Sequence, residues 1–92
     1  MRTAFGPKRA KRLGQRLFEL KGADTLNDIP RTPPARCHEL SSDRKGQLSV
    51  DLAHPYRLIF EPANEPVPRK PDGGLDWGQV TSIIILEIVD TH

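Results

Sequence analysis

A change of hydrophobic period near residue 35 constrains this chain more than any other feature. Ahead of it, Ala10, Leu13, Leu17 and Leu20 recur at helical spacing and make one apolar stripe. Gly6-Pro7 places proline at the first helical position, and Gly22 supplies a stop, so the spacing predicts a helix over 7–21. Thr25-Leu26-Asn27-Asp28 can add a short second turn before Pro30 ends it. Pro30, Pro33 and Pro34 then force an extended connection, because proline fixes φ and pushes the residue before it out of the helical region.

Beyond that point the pattern alternates. Arg36 to Leu40 reads as a strand, and Ser41 to Gly46 as a polar turn. Leu48, Val50 and Leu52 alternate with Gln47, Ser49 and Asp51, which marks a strand with one buried face. Ala53-His54-Pro55 reads as a hairpin connection to a strand over Tyr56 to Glu61. Residues 62–78 hold four prolines and three glycines, so a long irregular loop is expected there, with Trp77 pinning its far end to the core. The isoleucine-rich Val80 to Val89 is apolar on both faces and is expected to run centrally in the sheet. The expected fold is one α+β domain covering 1–92, with a helix, or two, on a small antiparallel sheet.

Size and charge narrow the function. A chain of 92 residues leaves no room for a cofactor domain beside a core, and neither a cofactor nor a metal is expected. The single cysteine, Cys37, excludes an internal disulfide framework and fits a reducing compartment; it is expected to pack as a small apolar side chain. The start is basic with no apolar core after it, and the run Ile83 to Leu86 is far too short to span a bilayer. A cytoplasmic protein with no membrane contact is expected. Residues 1–21 carry Arg2, Lys8, Arg9, Lys11, Arg12, Arg16 and Lys21 against the single acid Glu19, while the remainder is net acidic. Such asymmetry suits a polyanion or an acidic protein partner, although a solvated helix face looks the same.

Three segments in order resemble the RelE/ParE superfamily of bacterial toxins, in the branch of the HigB killer proteins. They are His38-Glu39-Leu40-Ser41-Ser42-Asp43-Arg44-Lys45-Gly46-Gln47-Leu48-Ser49-Val50, then Tyr56-Arg57-Leu58-Ile59-Phe60, then Glu87-Ile88-Val89-Asp90-Thr91-His92. The likeness spans roughly residues 5–92. It implies a RelE-like fold and the toxin of a type II toxin–antitoxin pair, which cuts messenger RNA in the ribosomal A site. It also implies a helix-turn-helix antitoxin as partner. Carried over by position, the catalytic candidates are His38, Arg57, Asp90 and His92. Arg44, Lys45 and the first-helix cations Lys8, Lys11, Arg12 and Arg16 become candidates for holding RNA backbone.

Those residue types suit the chemistry. Cleavage by the 2′-hydroxyl needs a base, an acid and positive charge on the phosphate. Histidine can fill either proton role near neutrality, and arginine can grip phosphate with two parallel hydrogen bonds. Against this stand plain structural roles. His38 can simply occupy a strand face, His54 reads as a turn residue, and Arg57 can pair with Asp51 or Glu61.

Three departures from the family pattern matter. Thr91 stands where the family has tyrosine, and Ser41 where many members have lysine. Members also carry a strand and helix of roughly 20 residues ahead of the segment matching Phe5. The family's first strand is therefore expected to be lacking, leaving an uncovered sheet edge prone to self-association. Two alternatives stay open: a binding module of the same fold that has lost catalysis, and a gyrase inhibitor like ParE.

Overall fold

The computed structural model describes residues 6–90, with side chains from Ala10 onward. Helix α1 (Gly6–Gly22) is followed by β1 (His38–Glu39), β2 (Leu48–Asp51), β3 (Tyr56–Pro62) and β4 (Ile83–Asp90). Short 3₁₀ turns lie at Leu26–Asp28, Ser42–Arg44 and Trp77–Gln79. The four strands form one antiparallel sheet in the order β1-β2-β3-β4. The result is an α+β fold of one helix and one sheet.

The period change has the structural meaning expected of it. Leu48, Val50, Leu58 and Phe60 face one side of the sheet and are fully or almost fully buried. They form the core with Leu26, Ile29, Leu75, Trp77 and Val80, and Leu13 and Leu20 of α1 pack against it. The stripe on α1 is narrower than its apolar residues suggested, since Ala10 and Leu17 are exposed. Arg16 takes the remaining inner position. It is 2% exposed, donates from Nε to the Asp51 carbonyl at 2.9 Å and pairs with Glu19 at 3.0 Å. Positions 13, 16, 17 and 20 share one helix face, so its charge had hidden an inward placement.

The expected place of the last strand is corrected. The isoleucine-rich strand is not central: among the described residues β4 pairs only with β3, and Ile84, Ile85, Leu86 and Ile88 remain 39–51% exposed. Apolar residues on both faces usually report burial on both sides, but here they lie on an edge. A bulge between Ile59 and Phe60 interrupts the pairing near Leu86.

Residues 62–78 form the long irregular connection expected of them, with one tight turn at its tip. Lys70 N–H bonds to Gly74 O and Gly73 N–H to Lys70 O, and Arg69 bridges Leu75. Gly73, at φ +91°, takes a left-handed position that suits glycine at this turn. Leu75 and Trp77 return the chain to the core. Trp77 donates its indole N–H to Glu39 at 2.9 Å, and the Arg31 guanidinium lies 3.7 Å from its ring centroid. The expected anchoring role of Trp77 therefore stands.

Candidate functional site

The sheet face opposite the core carries the residues of interest. Side chains paired across antiparallel strands lie on the same side, and the register pairs His38 with Ser49, Ser49 with Ile59, and Asp51 with Arg57. His38 and Arg57 therefore share this face. β2 separates their strands, and two strand spacings with two residues of offset put their Cα atoms about 12 Å apart.

His38 is oriented from both sides of its ring. Nδ1 lies 2.9 Å from the Arg36 carbonyl oxygen, and Nε2 lies 3.4 Å from Ser49 Oγ. A carbonyl only accepts, so Nδ1 carries a proton, and in the neutral ring Nε2 accepts from the Ser49 hydroxyl. Half-buried His38 thus directs Nε2 at the fully buried Ser49.

Arg57 is engaged as its plain structural reading required. Its Nε lies 3.5 Å from Asp51 Oδ1, while Arg36 Nε lies 3.5 Å from Asp51 Oδ2. One carboxylate therefore sits between two guanidinium groups. Asp51 is fixed through its backbone as well: its N–H donates to Ala35 O at 2.7 Å, and its carbonyl accepts from Arg16. Its Oδ1 is buried and has no hydrogen-bond partner among the described residues, because the Arg57 contact is an ion pair without hydrogen-bond geometry.

The other candidates are spread more widely. Asp90 pairs across the sheet with Tyr56, on the core side, so the register does not bring it onto the face of His38 and Arg57. The register thus separates Asp90 from the face that His38 and Arg57 share. His92 and Thr91 lie outside the described residues, as does the side chain of Lys8.

Among the cations, Arg44 is bonded to Gln47 and Glu87, reaching from the β1–β2 connection to β4. Lys45 is exposed and, with Arg69, Glu39 and Glu61, lines an open cleft of about 870 Å³ beside the 62–78 loop. Lys11 is exposed and Arg12 half-buried on α1. Arg16, expected to contact RNA, is instead buried against Asp51.

Arg36 escaped the sequence reading. It lies between buried Ala35 and Cys37, and its backbone has φ +49°, a left-handed conformation that no sequence pattern announces for arginine. Cys37 packs as expected, and burial pushes its thiol up to about 12, opposed by nearby Arg31 and assisted by Glu39.

Among the described residues no group of three or more histidine, cysteine, aspartate and glutamate side chains is placed to hold a metal ion. Among them, too, no helix is long and apolar enough to cross a membrane. The chain matches no family model, and no curated protein or solved structure is significantly similar to it.

Proposed function

We propose that this chain is the toxin of a toxin–antitoxin pair, a cytoplasmic endoribonuclease that cuts messenger RNA on the ribosome. One observation carries the reading: a half-buried imidazole shares a sheet face with the partly exposed Arg57 guanidinium. In this mechanism His38 Nε2 takes the proton of a ribose 2′-hydroxyl as that oxygen attacks the adjacent phosphorus. The P–O5′ bond breaks, a 2′,3′-cyclic phosphate forms, and the 5′ oxygen leaves with a proton from an acid. Arg57 offsets the charge that builds on the phosphoryl oxygens. His92 is the candidate acid by resemblance, and Asp90 a residue that orients it. Arg44, Lys45, Lys11 and Arg12 are the candidates for holding RNA backbone, and a helix-turn-helix antitoxin is the implied partner.

Induced expression in bacteria, with mapping of message ends, tests the proposal. Wild type is expected to arrest growth and leave cuts in translated messages, and His38→Ala is expected to do neither. Arrest without message cuts, or cuts that persist in His38→Ala, overturns the mechanism. A second reading is a binding module without catalysis. The engagement of Arg57 by Asp51 and the placement of Asp90 on the core side favour it. Under that reading wild type causes no arrest but still captures an antitoxin.

A further inference from the structure

Asp51 holds two arginines in an unusual way. Both approach the carboxylate through Nε, one on each oxygen. A guanidinium committed to a carboxylate commonly offers two parallel N–H groups, whereas here the closest contact is an Nε at 3.5 Å in both cases. The terminal nitrogens of Arg36 and Arg57 have no hydrogen-bond partner among the described residues. Arg36 is 56% exposed and Arg57 34%, while Asp51 is 23% exposed beneath them. Two positive charges over one negative charge leave an excess of one, presented to solvent as a row of unused donors.

The backbone supports this arrangement at a cost. Arg36 adopts φ +49°, where a Cβ crowds its own main chain and glycine is the favoured residue. The conformation is held by Arg36 N–H to Thr32 O and Cys37 N–H to Pro30 O, each at 3.0 Å. The same residue supplies the carbonyl that fixes Nδ1 of His38. A strained, exposed arginine that orients the candidate base and shares a carboxylate with the candidate phosphate ligand is arranged for more than a turn.

We propose that Arg36 and Arg57, spread on the two oxygens of Asp51, form a clamp for one phosphodiester group of single-stranded RNA beside His38. The proposal rests on the endoribonuclease reading and adds to it a second phosphate ligand, Arg36, and a positioning residue, Asp51. Asp51 keeps the two guanidinium groups apart and facing outward, so a phosphate meets both without drawing them together. The excess positive charge attracts the anion, and the planar forks orient it.

The test uses an all-deoxy tetranucleotide, which carries the phosphodiesters but lacks the 2′-hydroxyl and so cannot be cut. Its binding to the full chain is measured at low salt by titration calorimetry, alongside the melting temperature. Arg36→Gly relieves the left-handed strain while removing the fork. It is expected to melt no lower than wild type yet bind about tenfold more weakly, the loss of one charge-assisted contact. Arg36→Lys keeps the charge and is expected to fall between them, and Lys21→Gln, on the exposed end of α1, to bind like wild type. A purely structural Arg36 would lower melting without a selective loss of the tetranucleotide. Equal binding by Arg36→Gly and wild type overturns the clamp, as does a wild type that cuts message but does not bind the probe. Probe binding that Arg36→Gly abolishes, in a protein that cuts no message, upholds the clamp and overturns the nuclease.

Discussion

Replacing Glu39 with alanine is expected to loosen the attachment of the long β3–β4 connection to the sheet. Glu39 accepts the indole N–H of Trp77 at 2.9 Å, and Trp77 is only 6% exposed. A hydrogen bond to a charged acceptor contributes about 1.5–3 kcal/mol. Glu39 itself is exposed, so water can reach part of the vacated site and the lower end applies. Glu39→Ala should therefore cost about 1.5 kcal/mol, and Glu39→Gln, which keeps a neutral acceptor, about 0.5 kcal/mol. A domain of this length has about 5–14 kcal/mol of stability in all, so the loss is visible. Urea unfolding followed by the emission of the single tryptophan reports it directly. With a slope near 1–1.5 kcal/mol per molar, the midpoint should fall by about 1 M. A midpoint within 0.2 M of wild type for Glu39→Ala, or equal damage from glutamine and alanine, would refute the reasoning.

Arg16→Ala is expected to lower stability by about 2 kcal/mol, since it strips the Asp51 carbonyl of a charged donor and empties a buried position, while exposed Lys11→Ala stays within about 0.5 kcal/mol; equal effects in thermal melts would contradict this. Cys37 should resist iodoacetamide in the folded state. Its raised pKa also sets a sign: the contribution is complete below about pH 9 and is lost as pH rises towards 12, because only the unfolded thiol ionises in that interval. Wild type should therefore lose more stability than Cys37→Ala between pH 8 and pH 10.5, and parallel losses would count against it. Asn64→Ala should cost about 1–3 kcal/mol in urea, because the Asn64 carbonyl oxygen accepts from the backbone N–H groups of both Thr81 and Ser82. Sedimentation should show concentration-dependent association of wild type that Ile84→Lys reduces, as β4 is an apolar edge; ideal monomeric behaviour of both at high concentration would reject that.

Much of the fold was legible because period and punctuation agree. The helical stripe, the prolines after residue 29 and the alternation at Leu48, Val50 and Leu52 place α1 and the central strands correctly. The edge position of β4 was not legible, since apolar residues on two faces specify what a strand would bury, not which neighbours exist. Arg16 was misplaced for a related reason: its charge argued for solvent, while its helix position and its bond to the Asp51 carbonyl carry it inward. At the candidate site the place of His38 on a strand face and the pairing of Arg57 with Asp51 could be read from residue type and alternation, whereas their catalytic roles came from the resemblance alone. Arg36 could not, because a left-handed backbone in a non-glycine residue is decided by tertiary contacts. Asp90 became a candidate through the resemblance of the C-terminal segment, but strand pairing turns it with Tyr56 to the other side.

The tight turn between Lys70 and Gly74 bears on how this chain can change over generations. Asn64 ties the base of the excursion to Thr81 and Ser82, and Leu75 and Trp77 lock its return, so the tip is insulated from the sheet. Pro71, Asp72 and Gly73 are exposed at that tip. Lengthening a flexible loop adds little entropy of closure, about 0.6 kcal/mol for each doubling. Insertions are therefore cheap at Pro71–Gly73 and expensive a few residues later, where Leu75 must reach the core. A lineage with this architecture can lengthen or diversify that tip while its sheet stays as it is, and a reporter peptide grafted there should leave the strands in register.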